Sequence, residues 1–374
     1  MSTLLTYKQA TLESAGGYWT AREILQQPSV WREAYANVSS RRDSINDWLL
    51  PILAKKNLRI ILTGAGTSAY VGDAIAPHLS QVNGRVVEAI STTDIVANTT
   101  QYLLKETPTL LVSYGRSGNS PESVAAVDLA NQVIDECYHL VITCNPDGSL
   151  AKSANNASNA LSLLMPKGTL DQSFAMTSSY SSMLVTTLAI FSPDNEQLEL
   201  AAKSAEFLFA QGIDRLKEAS LAPAQRAVFL GAGGLQGVAR EAALKVLELT
   251  AGKLLSYCES PLGFRHGPKS LVDETTDIIF MSSSDAYTKL YDADLLAELK
   301  RDNQARQITV LDNAFFNQSG QMKDVWAGLP YIVYCQLFAF FKSMALEISP
   351  DNPCPTGEVN RVVEGVTLYP LLCD

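Results

Sequence analysis

The sequence predicts an α/β protein of two tandem domains, each a five-stranded parallel sheet flanked by helices in the doubly wound, flavodoxin-like manner, with N-terminal helices before them and a C-terminal arm after them. Three observations predict it. Short apolar runs alternate with helix-spaced stretches, and the alternation occurs twice at an offset of about 168 residues. Similar short segments recur at equivalent places. Leu62-Thr63-Gly64-Ala65-Gly66 parallels Phe229-Leu230-Gly231-Ala232-Gly233, and Val141-Ile142-Thr143-Cys144-Asn145 parallels Thr309-Val310-Leu311-Asp312-Asn313.

Taken in order, residues 1–57 read as helical. Thr20-Ala21-Arg22-Glu23 has the spacing of a capping box, a hydroxyl at a helix start and a Glu three residues on. Pro28 stops that segment, a second helix starts near Val30 and a third ends near Lys56. The first set of strands is Leu58–Thr63, Arg85–Ile90, Thr109–Ser113, His139–Cys144 and Ala160–Met165. The second set is Ala227–Gly231, Lys253–Cys258, Asp277–Met281, Gln307–Leu311 and Leu329–Tyr334. These readings give domains at 58–212 and 213–349, and an extended arm at 350–374.

Composition bounds the function. A chain of 374 residues, 47% hydrophobic and 18% charged, has the make-up of a globular protein. Its net charge of −10 argues against nucleic acid or an anionic membrane as the main partner. The six cysteines form no C-x-x-C pair, and with three histidines a zinc site is not expected; free thiols in a reducing compartment are. Met1 to Ala10 carries no signal-peptide pattern, and no window looks long enough to cross a membrane without polar interruption, so a cytoplasmic protein is expected.

The chemistry gathers on loops. Gly64-Ala65-Gly66-Thr67-Ser68 follows the first strand and opens a helix, where glycines admit an anion to exposed amides. Arg116-Ser117-Gly118-Asn119-Ser120 follows the third strand, with Ser120 placed as an N-cap before Pro121. In strand order 2-1-3-4-5 both loops fall at the reversal point, where ligands bind. A third hydroxyl cluster, Thr177-Ser178-Ser179, follows the fifth strand. Two alternatives bear on these loops. Gly/Ser loops also make plain turns. Gly64 to Ala69 also fits a dinucleotide fingerprint with Glu88 at the end of the second strand, although a second hydroxyl loop suits a monophosphate better.

In the second domain, Glu241, Lys245 and Glu248 share one helix face. Such a triplet serves equally as an exposed charge ladder. His266 sits in Phe264-Arg265-His266-Gly267-Pro268, off any regular apolar face, and fits either a carbonyl-capping histidine or an acid–base group.

Gly-Ala-Gly-Thr-Ser, Arg-Ser-Gly-Asn-Ser, Glu-Ala-Ala-Leu-Lys-Val-Leu-Glu and Arg-His-Gly-Pro together resemble the sugar isomerase (SIS) superfamily over nearly the whole chain. Longer runs, Ser117–Val127, Leu244–Lys253, Gly263–Val272 and Val359–Val363, are similar to its AgaS-type galactosamine-6-phosphate deaminase/isomerase branch. The resemblance implies that Thr67, Ser68, Ser117, Ser120 and Thr177 are hydroxyl ligands of a hexosamine or ketohexose phosphate, with Gly66, Arg116 and Ser178 beside them. It implies Glu248 as the proton-shuttling carboxylate, Lys245 on its face as a second catalytic group, Glu241 on the same face as a substrate contact, and His266 as the ring-opening group. That histidine often serves a neighbouring subunit in the family, which implies a homodimer or larger assembly. No cofactor or metal is implied. Where the amino-transferring branch has a C-terminal lysine, Glu364 aligns, and Gly115 replaces a hydroxyl residue. No glutaminase-like domain is read upstream, so loss of an amine is the expected direction. The alternatives are a ketose/aldose isomerase without deamination and a non-catalytic sugar-phosphate sensor.

Overall fold

A computed structural model describes residues 3–363 and 365–371; Glu364 and Cys373 lie outside the described residues. The chain divides into two compact units. The first takes Glu33–Leu170, Ser178–Pro193 and the chain from Thr356; the second takes the chain up to Arg32, Asp171–Thr177 and Asp194–Pro355. Where only helix was expected, the chain opens with a short antiparallel ribbon of Thr3–Leu4 (β1) and Tyr7–Lys8 (β2).

The first unit is built on Arg59–Thr63 (β3), Val87–Ala89 (β4), Thr109–Gly115 (β5), Cys137–Thr143 (β6) and Ala160–Leu164 (β7). They form one parallel sheet in the order β4-β3-β5-β6-β7, which is the expected 2-1-3-4-5. All of β5 is buried, as an apolar strand must be when helices cover both faces. Ile61, Leu111 and Val141 pack with Ala126 and Ala130 of the Pro121–Val133 helix and with Leu150. Burying each of the Ile, Leu and Val side chains contributes roughly 1.5–3 kcal/mol. The register pairs Thr63 with Ser113, so the loops after β3 and β5 leave the sheet side by side.

The second unit is built on Arg226–Gly231 (β8), Leu255–Glu259 (β9), Thr276–Met281 (β10) and Gln307–Leu311 (β11), parallel in the order β11-β10-β8-β9. The order repeats the first sheet with one strand fewer. Leu329–Tyr334, expected as a fifth strand, lies inside the Asp324–Ala345 helix, buried from Val325 to Ser343. An unbroken apolar run marks burial without choosing between strand and helix. By length and composition this helix could also cross a membrane, contrary to the expectation that no window could; here it is a core helix, packed against the Gly234–Leu249, Asn195–Phe207, Ile213–Leu221 and Tyr18–Leu25 helices.

The capping-box expectation also fails. Thr20 lies inside the Tyr18–Leu25 helix, and its N–H and hydroxyl donate to Asp351 at 2.7 and 2.6 Å. Trp19 N–H donates to the same carboxylate at 3.1 Å, so a distant Asp caps this helix. Glu23 is buried instead of reaching back.

Candidate active site

In the first unit, two loops leave the carboxyl edge of adjacent strands. Gly66 has φ +55°, and a Cβ on Gly64 would come within 2.6 Å of Ser68, so the turn into the Thr67–Asn83 helix requires glycine at both places. Thr67 and Ser68 are buried at that helix start. The loop after β5 is held by its carbonyls. Thr143 Oγ1 donates to Gly115 O at 2.6 Å, Asn145 Nδ2 to Ser117 O at 2.9 Å, and Leu150 N–H to Gly118 O at 3.0 Å. Arg116 is buried and donates to Arg361 O at 2.7 Å, which ties the arm to this loop. Ser120 does precede the Pro121–Val133 helix, but its hydroxyl makes no capping bond. The scaffold thus takes up the carbonyl acceptors of this loop, and the Ser120 hydroxyl is not used to cap the helix.

The structure therefore gathers Gly66, Thr67, Ser68, Arg116, Ser117 and Ser120 at the ends of β3 and β5, and Ser178 opens the Ser178–Phe191 helix of the same unit. Thr177 belongs to the second unit, where its N–H donates to Asp171 Oδ2 at 2.9 Å.

The Gly234–Leu249 helix of the second unit carries Glu241, Lys245 and Glu248. Its entry repeats the earlier turn: Gly233 has φ 57° and ψ −127°, against 55° and −127° at Gly66. The solvated-ladder alternative fails here. The side chains of Glu241 and Lys245 are fully buried, whereas Glu248 keeps 23% of its side chain exposed. Lys245 Nζ lies 3.4 Å from Glu241 Oε1 and donates to Glu248 Oε2, so Glu248 Oε1 remains outside that bond. A dry ammonium between two carboxylates fixes the outer one in place.

His266 is exposed, one turn beyond the Pro261–Phe264 helix. Its flanks are clamped: Arg265 binds Glu298 and Asp294 at 2.9 Å each, and Lys269 binds Glu298 and Asp302. Among the described residues no hydrogen bond joins its ring to the helix acids. The other histidines have structural partners, His78 with Ser192 at 3.0 Å and His139 with Asn131 at 2.8 Å. Burial lowers His139 to about 4, so it is neutral near pH 7. Among the described residues no cluster of His, Cys, Asp or Glu suits a metal ion. Five cysteines are free thiols.

The loop after β10 occupies the place that the Ser117 loop has after β5, beside a cavity of about 450 Å³ lined by Ser282, Lys289, Asp312 and Gln321 among others. Its donors are already engaged. Ser283 Oγ and Ser284 Oγ donate to Asp324 at 2.5 and 2.8 Å, Ser284 N–H to Asp324 at 2.6 Å, and Ser283 N–H to Asp292 at 2.7 Å.

Two residues that the sequence reading assigned no role near the site hold the segment ending at Thr177. Glu23 accepts from the N–H groups of Gln172 and Ser173 and contacts the Ser173 hydroxyl, while Asp171 holds Thr177. Burial first, then the Asp171 charge, raises Glu23 to about 8, against the lowering effect of its bonds to Ser173 and Gln172.

Comparison with known proteins identifies the family. A model of the SIS domain matches residues 52–193 and 220–344. The chain is 52% identical over 372 residues to the D-galactosamine-6-phosphate deaminase AgaS of Shewanella sp. (strain ANA-3), covering 99% of this chain and 96% of that one. It is 48% identical to the D-galactosamine-6-phosphate deaminase AgaS of Escherichia coli, over 96% and 97% of the two chains. The solved tagatose-6-phosphate ketose/aldose isomerase from Escherichia coli superposes with a TM-score of 0.89 at 45% identity, covering 99% of this chain and all of the other. With two matched segments, two parallel sheets of five and four strands, and relatives this close along its whole length, the chain belongs to the SIS domain family.

Proposed function

We propose that this protein is an amino-sugar-phosphate deaminase/isomerase that converts galactosamine 6-phosphate and water into tagatose 6-phosphate and ammonia. The observation that carries the reading is Glu248: a partly open carboxylate with one oxygen tied to a dry Lys245, on a chain 52% identical to a galactosamine-6-phosphate deaminase. The hydroxyls of Thr67, Ser68, Ser117, Ser120, Thr177 and Ser178, with Arg116 and the amide at Gly66, bind the phosphoryl group. His266 opens the pyranose ring. Glu248 Oε1 takes the proton from C2 and returns it at C1 through an enolamine, and water hydrolyses the resulting ketimine at C2, releasing ammonia. Lys245 and Glu241 hold the acid in position. The adjoining carbonyl acidifies the C2 proton, so the chemistry runs on side chains alone. The exposure of His266 on a clamped loop supports its use by a second copy in a cytoplasmic homo-oligomer.

Ammonia release from galactosamine 6-phosphate tests the reading. The wild type releases ammonia, and Glu248→Gln loses at least about a thousandfold in kcat, within the range of general acid–base effects. Wild-type inactivity, or full activity of Glu248→Gln, overturns it. The likeness to the Escherichia coli tagatose-6-phosphate ketose/aldose isomerase favours a second reading, plain ketose/aldose isomerisation. Following ketose 6-phosphate formation alongside ammonia, with glucosamine 6-phosphate and galactose 6-phosphate as further substrates, separates the two and fixes the C4 preference.

A further inference from the structure

The loop at residues 171–177 is irregular, yet Asp171, Ser173, Ala175 and Thr177 are fully buried, so its polar groups must be satisfied inside the protein. Two acids do this. Asp171 Oδ2 accepts from Thr177 N–H at 2.9 Å, which closes the loop on itself. Glu23, from the Tyr18–Leu25 helix, takes the N–H groups of Gln172 and Ser173, and the loop is fixed again at Phe174, whose N–H donates to Asp351 O at 3.1 Å.

The protons at Glu23 decide its state. Ser173 Oγ has one hydrogen, but it contacts two acceptors, Glu23 Oε2 and Ala175 O at 3.1 Å. If Glu23 is ionised, one of these contacts is left without a proton. If Oε2 carries the proton, Glu23 donates to Ser173 Oγ, Ser173 donates to Ala175 O, Oε1 accepts from Gln172 N–H, and Ser173 N–H is shared between the two oxygens at 3.3 Å each. Both contacts of the Ser173 hydroxyl then carry a proton. We propose that Glu23 works as a neutral carboxylic acid that donates to Ser173 and, together with Asp171, forms a positioning pair that fixes the Thr177 turn for the substrate phosphate.

The surrounding charges agree. Asp171 is the charged group that acts on Glu23, and it disfavours a second anion. Arg22, its neighbour on the helix, lies over Trp19 at 5.5 Å, and Asp351 is engaged by Trp19 and Thr20. The Asp324–Ala345 helix meets this helical region through Gln336, which accepts from Gln27 at 2.7 Å and carries no charge.

The role of Thr177 rests on the proposed function; the protonation of Glu23 does not. The test compares wild type, Glu23→Gln, Glu23→Ala and Asp171→Asn as full chains. The infrared difference between wild type and Glu23→Gln at pH 6 is expected to contain the carbonyl stretch of a protonated carboxyl group. Steady-state kinetics on galactosamine 6-phosphate are expected to show a wild-type KM that rises as pH passes about 8, the value to which burial and Asp171 raise Glu23. Glu23→Gln, an amide that donates and accepts like the neutral acid, is expected to keep kcat and KM within about twofold at pH 7 and to lose the alkaline rise. Glu23→Ala is expected to raise KM about tenfold, and Asp171→Asn to move the infrared titration to lower pH. A missing carboxyl band, or a Glu23→Gln variant as damaged as Glu23→Ala, overturns the neutral-acid proposal even if Glu23→Ala does not fold. A normal carboxyl band with a pH-independent KM overturns the positioning role alone. A wild type that neither binds nor turns over galactosamine 6-phosphate sinks the proposed function and the role of Thr177 with it, while the infrared band still decides the state of Glu23.

Discussion

The loop after β5 and the loop after β10 leave the same place in two sheets of the same strand order, yet only the second has carboxylates bonded to its N–H and O–H groups. The first is pinned by its carbonyl oxygens, through Thr143, Asn145 and Leu150. The second is pinned by its carbonyls too, which accept from Tyr331 and Gln321, but also by its N–H and O–H groups, through Asp324 and Asp292. A loop whose N–H and O–H groups already meet carboxylates has its anion built in, and the bonds from Thr143, Asn145 and Leu150 that hold the loop after β5 supply none. Equivalent topology therefore does not make equivalent sites.

The largest expected effect comes from giving the first loop what the second has. Ser117→Asp places a carboxylate where the phosphoryl group is proposed to bind, and calorimetry with galactosamine 6-phosphate is expected to show at least a hundredfold weaker binding with an unchanged melting temperature. Undiminished affinity breaks the comparison. Next, Lys245→Met removes the ammonium between Glu241 and Glu248, and urea denaturation is expected to show a loss of about 3–5 kcal/mol, because a buried carboxylate is left uncompensated. The smallest effect is expected for Asp324→Asn. It loses about 1–2 kcal/mol of stability and leaves phosphate affinity unchanged. It also acts on Asp292, which burial and the Asp324 charge raise to about 6 against the lowering bond from Ser283. A raised acid contributes stability that is full below its unfolded value near 3.8 and is lost as pH rises through about 6. Removing the Asp324 charge is expected to lower that midpoint, read as a shift in the pH dependence of the melting temperature.

Much of the first loop was legible because its signal is local. Glycines at 64 and 66, hydroxyls at 67, 68, 117 and 120, and the strand order they imply can all be read from a few adjacent residues. The Glu241–Lys245–Glu248 face was visible from helical spacing, but its burial was not, since spacing is the same for a wet and a dry face. Leu329–Tyr334 was misread because apolarity on every side gives no period. The Thr20–Glu23 pattern was misread for a different reason. Its spacing is that of a local cap, but the partner of Glu23 lies 149 residues away at Gln172 and that of Thr20 lies 331 away at Asp351. Such pairings exist only after the chain has folded, and no window on the sequence contains both members.

The Asp324–Ala345 helix has a consequence for how the protein is made. It fills the middle of the second unit, yet it leaves the ribosome after every strand it helps to cover. Until it emerges, the faces of the Gly234–Leu249, Asn195–Phe207 and Ile213–Leu221 helices that pack against it lack that partner. A nascent chain stalled before residue 324 is therefore a natural client for chaperones, and a nonsense codon there would yield aggregate in place of a smaller working enzyme.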